Sequence, residues 1–293
     1  MKAYFKNLKK AAAMLIPSAI MALFIIPNDA MSDTVKEFSG RTVTFENLTI
    51  NQIDTNVATV APGANINVAV DWRSEYTSTY CPGCVQQFYI GVKDQSIDCM
   101  YSGGTSFNVS GSGALSFTAP TEPGVYPIHA DSSLQFSCTK TEAGISDVVP
   151  EALGYILVDD ADGSVSREFS GRTVSFNNIS LNSSGENHVR VFPGATVDVD
   201  LDWSSVYTST YCPGCVQQYY IGVKDQAIEC LYSGNTAYTS PSGASTLNFT
   251  APTEPGVYVV QAKSTLDFSC VSTAASLSDQ AEGAIATFEV IEY

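Results

Sequence analysis

The sequence predicts an all-β protein with two tandem β-sandwich domains that follow an N-terminal signal segment. Three observations lead to this prediction: apolar and polar residues alternate along many short segments, turn-forming residues separate those segments, and the same pattern occurs twice. With 293 residues, of which 44% are hydrophobic, the chain can form about two domains that each bury a core.

The first 30 residues have the layout of a secretory signal peptide. Lysine-rich Met1–Lys10 precedes the apolar run Ala11–Ile26, and Pro27–Ala30 follows it. The run has 16 residues and contains Pro17, whereas a membrane-spanning helix needs about 20 apolar residues. We therefore expect the segment to be cleaved and the protein to be secreted or held at the cell surface. The alternative is a retained membrane anchor, because Asn28 is not the small residue expected near a cleavage site.

One domain is encoded twice. Glu37–Val43 recurs as Glu168–Val174, displaced by 131 residues, and Ala119–Tyr126 recurs as Ala251–Tyr258, displaced by 132 residues. The four cysteines of each half follow the same register. This is a tandem duplication with one inserted residue, and two copies are too few for a solenoid.

A short acidic linker marks the boundary between the copies. We place the first sandwich at residues 31–160 and the second at residues 161–293, joined in series like two beads. Asp159, Asp160 and Asp162 resemble part of a calcium loop, which makes calcium a possible cofactor at the linker. The full calcium-loop pattern with its final Glu is absent, and the alternative is a solvated, flexible linker. No other cofactor is expected.

Within each copy the periodicity is that of strands. Apolar and polar residues alternate in Ile66–Trp72 and Val197–Trp203, which is typical of strands with one face in a core and one in water. Turns rich in Gly, Ser and Pro, such as Gly111–Gly113, separate the strands. We expect about seven short strands per copy, as in a β-sandwich. Val148–Leu153 and Thr273–Gly283 are the candidates for a short helix.

The segment Ala119–Tyr126 and its repeat Ala251–Tyr258 contain Pro-Gly-Val-Tyr. They resemble the turn and strand entry of immunoglobulin-like modules in bacterial and archaeal surface proteins. The resemblance covers about eight residues in each copy and implies an immunoglobulin-like sandwich without implying a function. The sequence departs from antibody-type domains, because Trp72 and Trp203 precede the cysteine pairs.

Eight cysteines in an exported protein predict disulfide bonds. Cys81 and Cys84 have the spacing of a redox pair, but strand-like residues follow where a helix N-terminus would lower a thiol pKa. A four-cysteine metal site would need reduced thiols outside the cell. We therefore favour structural disulfides. The cysteines are Cys81, Cys84, Cys99, Cys138, Cys212, Cys215, Cys230 and Cys270.

Three pairing patterns are possible in each copy. Pro-Gly in the middle of a turn brings Cys81 and Cys84 close enough for a local bridge, which leaves Cys99 for Cys138. In the competing pattern both turn cysteines reach outward to Cys99 and Cys138. We favour the local bridge, with the equivalent pairs in the second copy.

The two copies are most similar around the first cysteine pair. Tyr76–Gln95 and Tyr207–Gln226 are identical at 19 of 20 positions, the exception being Phe88 against Tyr219, whereas neighbouring segments differ. Folding, a ligand or a partner surface can hold such a segment fixed. Aromatic side chains are frequent in binding surfaces. The candidate partner-binding residues are Tyr76, Tyr80, Tyr89, Tyr207, Tyr211 and Tyr220.

Charge and residue content exclude several classes of function. The net charge is −16, and it becomes −19 when the first 30 residues are removed, so nucleic-acid binding is not expected. The two histidines, His129 and His188, stand at non-equivalent positions, and no Gly-x-Ser-x-Gly elbow is present, so we expect no enzyme. No segment after the signal is apolar enough to span a membrane. We expect the repeated charged residues, such as Arg41 and Arg172, to have a structural use at solvated strand ends and hairpin tips.

These observations favour a secreted, non-enzymatic structural or adhesive protein of the cell surface, such as a subunit of an extracellular filament. Its partner would be a second copy, paired through an edge strand, or another cell-surface component. Val35–Val43 and Thr287–Tyr293 are candidate donor strands. The alternative is an extracellular carbohydrate- or metal-binding module centred on Tyr76–Gln95 and Tyr207–Gln226. A thiol oxidoreductase is a third hypothesis.

Overall fold

The computed structural model covers most of the chain after the predicted signal segment. It describes residues 33–78, 81, 83–105, 107–135, 138, 142–158, 164–209, 212, 214–235, 239–266 and 277–291. The signal segment predicted at residues 1–30 lies outside the described residues, as does the acidic linker with Asp159, Asp160 and Asp162.

The fold is all-β, as the sequence predicts. The regular elements of the described residues are strands, apart from two short 3-10 helices, Glu142–Gly144 and Val149–Glu151. The second of these lies within Val148–Leu153, one of the two candidate helical segments. In the other candidate, the described residues Leu277–Gly283 form no helix.

The first copy contributes ten strands, more than the seven expected. They are β1 (Thr34–Phe38), β2 (Arg41–Ile50), β3 (Ile53–Asp54), β4 (Val57–Val60), β5 (Asn65–Tyr76), β6 (Val85–Val92), β7 (Ser96–Gly104), β8 (Val109–Thr118), β9 (Gly124–Ser133) and β10 (Gly154–Val158). Their order in one sheet is β1-β2-β5-β8, with β3 also paired to β2, and in the other β4-β10-β9-β6-β7. All neighbours are antiparallel except β4 and β10.

The second copy repeats this arrangement with nine described strands. They are β11 (Val165–Phe169), β12 (Arg172–Leu181), β13 (His188–Val191), β14 (Thr196–Tyr207), β15 (Val216–Val223), β16 (Ala227–Asn235), β17 (Ser242–Thr250), β18 (Gly256–Thr265) and β19 (Ala284–Val290). The sheet orders are β11-β12-β14-β17 and β13-β19-β18-β15-β16, with β13 and β19 parallel.

The neighbours of each strand show whether the two candidate donor strands have a free edge for pairing with another chain. Strand β1 is the edge of its sheet, so its outer backbone groups face no other strand of that sheet. Strand β19 pairs with β13 on one side and with β18 on the other. The described part of Thr287–Tyr293 therefore lies inside a sheet and cannot act as a free donor strand.

The two sheets of each copy pack face to face on a shared apolar core, the arrangement of a β-sandwich. In the first copy Val68, Val70 and Trp72 point inward from β5 and meet Phe88 and Ile90 of β6; each is at most 4% exposed. The ring of Trp72 stands edge-on to Phe88 at a centroid distance of 5.6 Å. The alternation seen in the sequence of β5 is thus the alternation between core and solvent.

A tyrosine closes the corner before β9 and its equivalent β18. The Tyr126 hydroxyl donates a hydrogen bond to the Glu122 carbonyl oxygen at 2.7 Å, and Tyr258 does the same to Glu254 at 2.8 Å. Burial raises the pKa of Tyr126 to about 12; the Glu122 carboxylate adds to the shift and Arg167 opposes it. The neutral hydroxyl is therefore the form that the folded corner favours.

The two copies pack against each other instead of standing as separate domains in series. Residues 31–293 form one compact unit. A third apolar cluster, which we call the junction cluster, joins the outer faces of the second sheets. Its members are Val125, Val149, Tyr155 and Leu157 from the first copy and Val257, Val259, Ala281 and Ala284 from the second.

Two backbone hydrogen bonds give the junction an approximate twofold symmetry. The Val149 N–H donates to the Asp279 carbonyl oxygen at 2.7 Å, and the Ala281 N–H donates to the Asp147 carbonyl oxygen at 3.0 Å. Residues 279 and 281 are the equivalents of 147 and 149, displaced by 132 positions. Exchanging the copies therefore turns each bond into the other, which is the pattern of an isologous dimer interface.

Arg167 of β11 adds polar contacts to the junction. It donates to the carbonyl oxygens of Ala284, at 2.7 Å, and Pro123, at 3.1 Å, and lies 3.3 Å from the Glu122 carboxylate. Its side chain is 12% exposed. Burial lowers the pKa of the guanidinium, and the charge of Glu122 partly offsets that effect. Arg167 thus fastens the start of the second copy to the corner of the first.

Among the residues described, no helix has the length and apolar character needed to cross a membrane.

We expect Val257→Asp to destabilise the protein at the junction. Val257 is 4% exposed within the junction cluster, so the substitution buries an unpaired carboxylate and should lower the free energy of unfolding by roughly 3 kcal/mol. Urea unfolding followed by tryptophan fluorescence measures it. The control is Val206→Asp, because Val206 is 58% exposed in the same copy. Equal stability of the two variants would contradict the packed junction.

The Tyr126 corner predicts a loss of stability in alkali. Tyrosine in an unfolded chain ionises near pH 10, whereas the folded corner holds the proton to about pH 12. The contribution of this group is therefore complete below pH 10 and is lost as the pH rises to 12. Tyr126→Phe should flatten this part of the curve of unfolding free energy against pH. Exposed Tyr76→Phe is the control; an unchanged slope in Tyr126→Phe would count against the assignment.

Candidate functional site

The repeated segment Tyr76–Gln95 falls into three parts in the structure. Tyr76 ends β5, and we call residues 76–84 the first disulfide loop and the equivalent residues 207–215 the second disulfide loop. Of the residues after Tyr76 and Tyr207 in these loops, the structure describes 77, 78, 81, 83 and 84 in the first and 208, 209, 212, 214 and 215 in the second. Strand β6 follows, and residues 93–95 make the turn into β7. Each part has a different reason to resist change.

Strand β6 is fixed by packing. It lies between β7 and β9, and seven of its eight residues are buried. Gln86 and Gln87 are each 0% exposed and find partners in neighbouring strands: Gln86 donates to the Ser132 hydroxyl at 3.2 Å, and Gln87 accepts from the Ser133 hydroxyl at 3.1 Å. A buried amide that loses its partner costs free energy, so these positions tolerate little substitution.

Gly91 is fixed by the connection between β9 and β10, whose residue Ile145 lies on the outer face of the second sheet. A Cβ atom at Gly91 would lie 2.9 Å from the Ile145 side chain. The equivalent Gly222 has the same relation to Leu277, at 2.6 Å. The sheet is therefore covered on this face as well as in the core, and glycine is required where the covering side chain rests.

The turn after β6 is fixed by an ion pair to the same connection. Lys93 donates to the Asp147 carboxylate at 2.7 Å, and Lys224 makes the equivalent contact with Asp279. The hydrogen bond to Asp147 is the main reason that the pKa of Lys93 is raised. The ammonium group of Lys93 thus helps to hold the covering connection in place.

The disulfide loops are the exposed part of the repeated segment. Thr77, Ser78 and Gly83 are exposed, and so are their equivalents in the second copy. The backbone N–H groups of Thr77 and Ser78 donate to the Gly40 carbonyl oxygen at 3.0 and 3.2 Å. These bonds use the backbone alone, so the threonine and serine side chains are not needed to build the loop.

The disulfides follow the local pairing. Cys81 is bonded to Cys84 and Cys212 to Cys215. Cys99 of β7 is bonded to Cys138, so a disulfide ties the edge of the sheet to the connection that covers it. Cys230 is disulfide-bonded as well, and Cys270, its predicted partner, lies outside the described residues. Such bonds indicate an oxidising compartment.

The candidate tyrosines are in different environments. Tyr76 is 37% exposed beside the first disulfide loop, where its backbone N–H binds the Asn108 side chain at 2.8 Å. Tyr207 is half-buried beneath the Arg172 guanidinium, 5.8 Å from the ring centre. Of the remaining candidates, two are covered and two lie outside the described residues. Tyr89 and Tyr220 are each 1% exposed, and Tyr80 and Tyr211 are not among the described residues.

Two buried arginines support the loop end, contrary to the expectation that they are solvated. Arg41 and Arg172 are each 1% exposed. Arg41 donates to the Ser74 hydroxyl and the Gly104 carbonyl oxygen, both at 3.0 Å, and lies 5.9 Å from the Tyr101 ring centre. Burial lowers the pKa of Arg41. The recurrence of these arginines in both copies was the sequence feature that could have indicated a buried role. The partners of Arg41 are 33 and 63 residues away in the chain, so no local pattern identifies them.

Within the described ranges, no group of three or more His, Cys, Asp or Glu residues is arranged to hold a metal ion. The calcium hypothesis falls on Asp159, Asp160 and Asp162, which lie outside those ranges.

No model of a known protein family matches the chain, and no curated protein matches it.

The covered face predicts the effect of Gly91→Ala. The added Cβ would press on Ile145 and on the Ser96 carbonyl oxygen, at 2.9 and 3.0 Å, and should lower the free energy of unfolding by roughly 1–3 kcal/mol. Chemical denaturation measures it. Gly104→Ala is the matched control, because the nearest atom there is 3.9 Å away. If both variants kept full stability, packing would not explain Gly91.

Proposed function

We propose that this protein is a secreted, non-enzymatic adhesive protein of the cell surface that binds neutral carbohydrate through its two disulfide loops. One observation carries the proposal: residues 76–84 and 207–215 are identical at all nine positions although Thr77, Ser78 and Gly83 and their equivalents are exposed. Packing explains the similarity of β6, including Gly91, and the ion pair to Asp147 explains Lys93, but neither explains the identity of the exposed threonine and serine side chains.

The chemistry of the loops favours sugars over charged partners. The loop sequence Tyr-Thr-Ser-Thr-Tyr-Cys-Pro-Gly-Cys has no charged residue, in a chain of net charge −16. Hydroxyl groups donate and accept hydrogen bonds, and an aromatic ring offers an apolar face with a polar tip. Tyr76 and Phe107, which are 37% and 68% exposed, supply such rings near the first loop. Neutral hexose polymers present the matching combination of hydroxyl groups and apolar ring faces.

The scaffold supports an immunoglobulin-like surface module. Strands β5 to β10 have the neighbours of strands B, C, C′, E, F and G in such domains: β5 pairs with β8, and β7, β6, β9 and β10 are adjacent in the second sheet. The Tyr126 hydroxyl bonded to the Glu122 backbone corresponds to the tyrosine corner at the start of strand F. Loops at one end of this scaffold commonly carry binding residues.

Export is supported by two independent features. The sequence of residues 1–30 has the layout of a signal peptide. The disulfide bonds persist in oxidising compartments such as the cell exterior. A rigid, cross-linked sandwich that presents loops to the exterior suits adhesion.

The double variant Thr77→Lys with Thr208→Lys tests the proposal. Both side chains are exposed and the loop bonds use backbone atoms, so the fold should persist while the bulky charge blocks the loops. We expect wild-type protein to bind immobilised mannan, galactan or dextran in surface plasmon resonance, and the variant to bind at least tenfold more weakly.

The matched control is Thr118→Lys with Thr250→Lys. Both threonines are exposed, and their substitution adds the same charge to each copy as the test variant does. They lie far from the disulfide loops, because residue 118 pairs with residue 65 at the start of β5, whereas the first loop follows the end of β5. The control should bind like the wild type. Absence of binding to all three polysaccharides, or equal loss in variant and control, would remove the proposed function.

A further inference from the structure

The two disulfide loops are related by the approximate twofold symmetry of the junction. A twofold axis places the two loops either side by side or at opposite ends of the molecule. The relative direction of the equivalent strands β10 and β19 at the junction distinguishes these two arrangements.

Strands β10 and β19 run in opposite directions across the junction. Leu157 and Val158, at the end of β10, share a small water-sized cavity with Ala284 and Ala286, at the start of β19. Asn56 receives the N–H of Tyr155, near the start of β10, and its side chain donates to the Glu289 carboxylate, near the end of β19, at 3.0 Å. The twofold axis is therefore perpendicular to the strands.

Each disulfide loop lies far from this axis. The axis passes near Val125 at the start of β9, since Val125 and its equivalent Val257 both belong to the junction cluster. The loop is at the other end of the strand, because Gln87, just after the loop, pairs with Ser133. Eight residues at about 3.3 Å each place the loop roughly 25 Å from the axis. The second loop lies at a similar distance on the opposite side.

We infer that the protein is a two-ended cross-linker, whose identical loops face opposite directions and join two separate glycan surfaces. This inference rests on the proposed function for the nature of the partner. Loops at opposite ends bind two surfaces at once, whereas loops on one side would bind two sites on the same surface and gain avidity. A molecule of this kind holds glycan-coated layers or cells together.

A distance measurement tests the arrangement without any ligand. Ser78 and Ser209 are exposed equivalents in the two loops. A nitroxide-bearing amino acid at each position allows the distance between them to be measured by pulsed electron–electron double resonance on the full chain. We expect a separation of roughly 50 Å. A separation below roughly 30 Å would place the loops on one side and overturn the inference.

A bead assay tests the bridging itself. Wild-type protein should agglutinate (clump) beads coated with mannan, galactan or dextran. The single variants Thr77→Lys and Thr208→Lys should still bind the beads, but at least tenfold more protein should be needed to agglutinate them. Clumping by the single variants at wild-type concentrations, or wild-type binding without clumping, would overturn the inference and leave the proposed function intact. If wild-type protein binds none of the beads, the proposed function fails, and the nitroxide distance decides the two-ended arrangement by itself.

Discussion

The second sheet of each copy must be covered on both faces, and much of the remaining structure follows from this constraint. Its inner face packs on the first sheet, while its outer face contacts described residues of the connection after β9 or β18, such as Ile145 and Leu277, and also contacts the other copy. Gly91 makes room for Ile145, Lys93 binds Asp147, and the Cys99–Cys138 disulfide holds the connection to the edge strand. These separate features act on one interface between sheet and connection.

The disulfide loops differ from this interface because the side chains of Thr77 and Ser78, and of their equivalents, are exposed to solvent. Their shape comes from a local disulfide and from backbone bonds to Gly40 and Gly171. A cross-linked backbone that presents exposed side chains is suited to recognition, since less ordering is needed when a partner binds. The buried guanidinium of Arg41 strengthens this end by binding the last carbonyl oxygen of β7.

How much the sequence predicts depends on the range of the interaction. The alternation in Ile66–Trp72 predicts the buried face of β5, because side-chain direction repeats every two residues. The Pro-Gly turn likewise predicts the Cys81–Cys84 bridge, which spans three positions. Strand β6 shows no alternation because both of its faces are covered, and the covering residue Ile145 is more than 50 positions away. The burial of Arg41 and the junction depend on equally distant contacts, so local patterns do not reveal them.

Fusing two copies into one chain also frees the junction from strict symmetry. In a dimer of identical subunits every substitution occurs on both sides of the axis, so a residue must suit two sites at once. Here Arg167 binds Pro123 across the junction and Ala284 within its own copy, while its counterpart Lys36 bonds to the Ala130 carbonyl oxygen within the first copy. In a single chain with two copies, each half can therefore change one side of the junction without the same change on the other side.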